Sequence, residues 1–212
     1  MRFELAVARL AILPAPLPAP ADALMPTYVG PAGTLPPWVP VDLGGSRAAA
    51  VLVLLFPDED GDARVVLTER AARGGDHGGE VSFPGGRPEP ADRDLAATAL
   101  REAVEEVALD EAGAGVRIIG HLERCWIPVS NYEVTLVLAI ADRLPLLVPS
   151  PHEVARIIAP RVAAFLPGAP LEIVNRTIGG WPIRYGAYRI DDLLVWGATA
   201  RILSQLGAVL RA

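Results

Sequence analysis

The stretch that most constrains this 212-residue chain runs from Phe83 to Ala108. Phe83, Pro84, Gly85 and Gly86 form a tight turn whose paired glycines let backbone come close to a neighbour. Residues from Asp92 to Ala108 are helix formers, with Leu95, Ala99, Leu100, Ala103, Val104 and Val107 giving an apolar side. That side needs a flat apolar partner. The flanking sequence offers strands: Ala48 to Phe56, then a turn over Pro57 to Asp62, then Arg64 to Arg70, then a Gly-rich loop from Gly74 to Gly79 leading to Glu80 to Phe83. Further strands are expected over Val116 to Pro128, Tyr132 to Ala141, Glu153 to Ala159 and Leu171 to Ile178, with a closing helix over Leu194 to Leu210. Strands interleaved with two helices predict an α/β (α+β) sandwich around a mixed sheet. No internal repeat is visible.

Composition narrows the function classes. The net charge of −6 supplies no whole-molecule positive field, so long nucleic acid is not an expected partner. No apolar run reaches the ~18 residues needed to span a bilayer, so no membrane is expected either. Cys125 is the only cysteine, which excludes an internal disulfide framework and fits a reducing, cytoplasmic setting. The apolar stretch from Met1 to Leu13 is interrupted by Glu4 and Arg9 and ended by Pro14, unlike a secretion signal. Between Pro14 and Pro40 lie nine of the 21 prolines, which favours an extended path. Residues 1–46 are therefore expected to form a Pro/Ala-rich arm loosely tethered to a domain over 47–212, or a strap to a second copy in a homodimer.

Chemistry concentrates on the central helix. Arg101, Glu102, Glu105 and Glu106 lie three and four residues apart, which puts the three glutamates on one side, where like charges repel by a few tenths of a kcal/mol per pair. A cation would remove that penalty. Carboxylate oxygens suit hard Mg²⁺, with Mn²⁺ as an alternative, and Mg²⁺ takes its remaining positions from water and substrate phosphates. A main-chain carbonyl in the preceding turn could complete the shell.

Turn, acidic residue and Arg-Glu-x-x-Glu-Glu helix in this order resemble the Nudix hydrolases, whose box is Gly, five residues, Glu, seven residues, then Arg-Glu-aliphatic-x-Glu-Glu-x-Gly-aliphatic. Here Asp92 stands six residues after Gly86 and eight residues separate it from Arg101, so the box carries Asp for Glu and one extra residue. That variation is similar to the coenzyme A diphosphatase branch. Its Leu-Leu-Thr-x-Arg-Ser/Ala element corresponds to Val66, Leu67, Thr68, Glu69, Arg70 and Ala71, and its Gly-x-x-x-Phe-Pro-Gly-Gly element to Gly79 through Gly86. Thr98 to Glu102, and Val195 to Ala200 before the closing helix, also read like that branch. The resemblance covers roughly Arg47 to Leu210.

The resemblance implies a Nudix-type α/β/α sandwich and hydrolysis of coenzyme A or a derivative to phosphopantetheine and adenosine 3',5'-bisphosphate. Metal would be held by Glu102, Glu105, Glu106 and the Gly85 carbonyl. Arg101 would orient a glutamate or pair with Asp92, and Glu153 is the best outlying candidate for general base. Arg70, Arg73, His77 and Phe83 fall on the substrate side. Gly75 stands where the branch has Arg, so its role passes to Arg70 or Arg73 or is absent; Ala108 replaces a Gly, and Ala103 a bulkier aliphatic residue, which would slightly loosen helix packing. Two alternatives stand beside this reading: a Nudix diphosphatase for another nucleoside diphosphate derivative such as NADH, ADP-ribose or a nucleotide sugar, and a Nudix-fold module that binds without hydrolysis.

Overall fold

The computed structural model describes residues 1–28, 45–72, 79–178 and 180–211. Two long strands form its centre, β2 (Arg47–Pro57) and β9 (Tyr132–Ala141). They run parallel, with Ala50 opposite Thr135 and Leu54 opposite Ala139. Both strands read as nearly unbroken apolar runs because both faces are covered. On β2, Ala50, Leu52, Leu54 and Phe56 point to one layer and Ala49, Val53 and Leu55 to the other; on β9, Val137, Ala139 and Ala141 alternate with Leu136, Leu138 and Ile140.

The first layer is α2 (Leu95–Val107), which contributes Ala99, Ala103 and Val107. The second is α4 (Gly197–Val209), with Leu203 and Leu206, joined by α1 (Phe3–Leu10). Antiparallel additions complete the central sheet: β3 (Ala63–Val65) and β6 (Gly85–Gly86) on β2, and β7 (Val116–His121) and β8 (Cys125–Ile127) on β9. One parallel pair among antiparallel ones makes the sheet mixed, so the expected α/β/α sandwich stands. Among the described residues no helix is long and apolar enough to cross a membrane.

The structure departs from the sequence reading in four places. The Arg64 to Arg70 strand is two. Val66 donates its amide to Leu54, and beyond it β4 (Leu67–Arg70) leaves the central sheet to pair with β5 (Val81–Ser82) and β10 (Val154–Ile158). The strand expected over Val116 to Pro128 likewise breaks, giving β7 and β8. No strand was expected at β12 (Trp181–Ile190), which pairs with β11 (Glu172–Ile178) and β13 (Leu193–Val195). Gly186 is required there, since a Cβ would lie 2.6 Å from the Ala23 carbonyl oxygen.

The fourth departure corrects the loose arm. Phe3, Ala6, Leu10 and Leu24 are core residues; Arg9 donates to the Leu210 carbonyl at the end of α4, and β1 (Thr27–Tyr28) pairs with β12. The prolines do not prevent this because the apolar residues between and before them find a surface to bury, at roughly 1.5 to 3 kcal/mol for each large side chain. The remainder of the expected arm, 29–44, lies outside the described residues.

Candidate active site

The site is organised by how α2 begins and ends. Asp94 caps its N-terminus, accepting the Ala97 amide at 2.7 Å. At the other end Ala108 takes left-handed geometry, φ 52° and ψ 40°, the position where the family box carries Gly. A Cβ is disfavoured there by about 1 kcal/mol. Ala108→Gly is therefore expected to raise stability by about 0.5 to 1 kcal/mol, read as a higher midpoint in urea unfolding with an unchanged slope; a lower midpoint would refute the strain.

Between these ends the three glutamates part company. Glu106 shares the sheet-facing stripe with Ala99 and Ala103 and is only 5% exposed. Glu102, one turn earlier, is half-buried, and its carboxylate presses on Gly86, where any Cβ would lie 2.3 Å from Oε1. Glu105 is turned outward, 54% exposed, and its carboxylate pairs with Arg101 at 3.0 Å. The expectation of a single acidic face is corrected: residues 102 and 106 are separated by about 40° around a helix, whereas 105 and 106 differ by about 100°. Ala103 is fully buried as part of the same close approach of α2 to β2.

Arg101 does both of the things expected of it. Its guanidinium takes the two oxygens of Asp92 at 3.1 and 3.2 Å and reaches Glu102 at 3.1 Å. Asp92 also accepts the Thr98 hydroxyl at 2.9 Å and the Glu89 amide at 2.8 Å. These bonds, the Arg101 one foremost, hold the Asp92 carboxyl down at about 2. Asp92 thus locks Arg101, and Arg101 locks Glu102. Thr98 was not singled out as a site residue from sequence, although a threonine buried in the first turns of a helix, six residues after an aspartate, is the available signal.

The glycine turn lies against this machinery. Leu52 donates its amide to the Pro84 carbonyl at 2.8 Å, so Pro84 and Gly86 occupy the hydrogen-bonded positions of the β2–β6 ladder and the polar groups of Gly85 point away from β2. The Gly85 amide indeed donates to Glu106 Oε2, at 3.3 Å. Its carbonyl is left available to a ligand by the same alternation. Phe83, expected to face substrate, is 3% exposed inside the core; it anchors the turn from below because its apolar ring has the larger gain in burial.

Two distant residues are brought to the carboxylates. The segment after β9 folds back over the end of α2, with Val148 and Ser150 donating to the carbonyls of Val107 and Glu106 at 2.9 and 2.8 Å. Glu153 follows, and its own carbonyl accepts the Ala71 amide at 2.8 Å. Arg70 ends β4. Burial pushes the Glu106 carboxyl up to about 7, opposed by the Arg70 charge and the Gly85 amide and reinforced by the charges of Glu102 and Glu153. Burial also raises Glu102, with Arg101 opposing and Glu105 and Glu153 adding to it. Arg73, His77 and Gly75 lie outside the described residues.

Among the described residues, no three side chains form a ready-made metal cage. The donor set nevertheless fits Mg²⁺, which keeps several waters and needs only one or two carboxylates plus substrate oxygens. Glu102 and Glu106, both raised toward the neutral form by burial, and an available main-chain carbonyl are such a set.

The NUDIX domain model matches residues 46–167. Nudix hydrolase 15, mitochondrial, of Arabidopsis thaliana is 35% identical over 174 residues, covering 77% of this chain and 58% of that protein; the chain thus spans little more than half of its length. The uncharacterized Nudix hydrolase NudL of Photorhabdus laumondii is 34% identical over 164 residues, covering 76% of this chain and 83% of the relative. Among solved structures, the Nudix hydrolase RenU of M. smegmatis aligns at 24% identity with a TM-score of 0.43, over 56% of this chain and 73% of that one. With the NUDIX model spanning more than half of the residues and the NudL relative aligned along most of its length, the chain belongs to the Nudix hydrolase family.

Proposed function

We propose that this protein hydrolyses the diphosphate linkage of coenzyme A or a derivative, in a reaction that depends on Mg²⁺ or Mn²⁺, releasing phosphopantetheine and adenosine 3',5'-bisphosphate. The observation that carries the reading is the convergence of Glu102, Glu106, Gly85, Arg70 and Glu153 at one edge of the sheet. The coenzyme A assignment rests on the elements at Val66 to Ala71 and Gly79 to Gly86 and on the lengthened box with Asp92. The sole cysteine and the bacterial NudL relatives support a cytoplasmic setting.

Glu102, Glu106 and the Gly85 carbonyl would hold the metal, with Glu105 within reach by rotation of its exposed side chain. Bound there, the ion supplies charge neutralisation for the diphosphate and a more acidic water. Arg70 would take a phosphate oxygen pair by charge-assisted hydrogen bonds. Glu153 would accept the proton of the attacking water as in-line attack on phosphorus proceeds. Arg101 is a positioning residue, held by Asp92 and holding Glu102.

Incubation with Mg²⁺ and a panel of coenzyme A, acyl derivatives, NADH, ADP-ribose and a nucleotide sugar tests the reading. The expected result is cleavage of coenzyme A or an acyl derivative at kcat/KM at least tenfold above the others. Gly75, in place of the branch's Arg, favours the second reading, a different nucleoside diphosphate derivative; preference for a substrate lacking both the 3'-phosphate and the pantetheine arm would establish it over the first.

A further inference from the structure

Beside the β4–β5 hairpin, the fold makes a cavity of about 330 Å³ that none of the residues discussed so far explains. Its walls include Gly79, Glu80, Arg176, Arg189, Asp192 and Trp196. The volume is at the small end of ligand clefts and suits a single nucleotide.

Three observations give it chemistry. Trp196 is half-buried, and its inner face is stacked on Tyr185 with ring centroids 4.8 Å apart and planes at 24°. Tyr185 is itself 2% exposed, so the indole is a supported, rigid platform, and Trp196 lines the cavity. The Arg176 guanidinium lies 5.9 Å from the indole centroid. Of the two arginines in the wall, Arg189 is held by Glu172 at 2.7 Å. Arg176 has no carboxylate within ion-pair distance among the described residues. Asp192 is already engaged by Arg156 at 2.9 Å and retains acceptor capacity.

The cavity is also tied to the reaction centre. Arg70 donates its amide to the Glu80 carbonyl at 3.0 Å and accepts the Gly79 amide at 2.9 Å. Thr199, three residues into the chain beyond Trp196, donates its hydroxyl to the Val81 carbonyl at 2.9 Å. Gly79 and Glu80, which pair with the Arg70 backbone, therefore form part of the cavity wall.

We propose that this cavity is the nucleotide subsite: the purine stacks on Trp196, its amino group faces the carboxylates of the wall, and Arg176 takes a phosphate that is not part of the scissile linkage. An aromatic face and a guanidinium with no carboxylate partner among the described residues select a flat base carrying an anion. A second phosphate on the nucleoside is what the spare cation would distinguish. This rests on the reading that Arg70 and the carboxylates handle the diphosphate, and it adds where the nucleoside half of that substrate lies.

The test is calorimetric titration of metal-free protein with adenosine 3',5'-bisphosphate, AMP and adenosine, together with steady-state hydrolysis of coenzyme A and its 3'-dephospho form. The variants are Arg176→Gln, at an exposed strand position, and Trp196→Leu, with thermal melts to verify folding; Arg117→Gln removes the same charge from β7 as a control. Expected is binding of the bisphosphate at least fivefold tighter than AMP, a tenfold or greater loss in Arg176→Gln that abolishes this preference, and a rise in KM for coenzyme A that exceeds any change in kcat. Wild-type affinity and KM in both variants, or no bisphosphate binding to the parent protein, overturns the subsite. If the parent cleaves no coenzyme A substrate yet binds the bisphosphate through Arg176, the hydrolysis reading fails and the subsite stands.

Discussion

Glu106→Gln is expected to lower Mg²⁺-dependent diphosphate hydrolysis by roughly 10³-fold while making the metal-free protein more stable at alkaline pH. The first effect follows from position. Glu106 is the buried carboxylate of the set, 5% exposed and tied to the Gly85 amide, so its charge is fixed in place beneath the glycine turn. The second follows from its proton affinity, raised from the ordinary glutamate value of 4.5 to about 7. Between those values the folded protein binds a proton that the unfolded chain has released. Stability therefore falls as pH rises through this window, and above about 7 the fold carries the full cost of a buried charge, on the order of 3 kcal/mol. Gln carries no such cost. The variant's advantage should be largest near pH 8 and vanish near pH 4.5; Asp92, held down at about 2, acts in the opposite sense and below this window. Urea unfolding at several pH values, with and without Mg²⁺, reads both effects: Mg²⁺ should stabilise the parent protein at pH 8 and leave the variant unmoved. Retained turnover in Glu106→Gln, or equal pH profiles, would remove Glu106 from the metal site.

The second large effect separates two adjacent glycines. Gly85 has φ +155°, and a Cβ on it would lie 2.3 Å from the Ala50 carbonyl oxygen and 2.6 Å from Val51 Cα. Both are backbone atoms of the central strand and cannot move aside without breaking it. Gly85→Ala should therefore cost about 3 kcal/mol or more, lowering Tm by roughly 6 to 12 °C. A Cβ on Gly86 would meet only the Glu102 carboxylate, at 2.3 Å, and a side-chain end can swing away. Gly86→Ala should keep Tm within about 2 °C and lose activity, by roughly 10 to 100-fold, because Glu102 and its tie to Arg101 are displaced. Differential scanning calorimetry paired with initial rates distinguishes the two; a Gly85→Ala protein with the parent's Tm would show that β6 does not need its close seat on β2.

Much of this was legible in the residues. Tyr132 to Ala141 and Ala48 to Phe56 read as strands because a strand covered on both faces must be apolar throughout, and α2 was legible because its apolar side, helix-forming composition and acidic turn agree. The Arg101 partnership with Asp92 was also anticipated, since helical spacing is a local property. The outward turn of Glu105 and the burial of Phe83 were not, because which face of a motif is covered depends on what packs there.

The chain's own pattern thus determined the sandwich and the acidic helix beneath a Pro-Gly-Gly turn. Local periodicity encodes which elements form and which residue types share a face. Only the tertiary structure decided that Phe3, Ala6, Leu10 and Leu24 belong to the core, that β12 exists across Gly186, that Glu153 returns through Ser150 to the end of α2, and that Trp196 and Arg176 share a cavity with Gly79 and Glu80. Each of these joins segments far apart in sequence, and a contact's free energy depends on the partner surface that the rest of the chain provides.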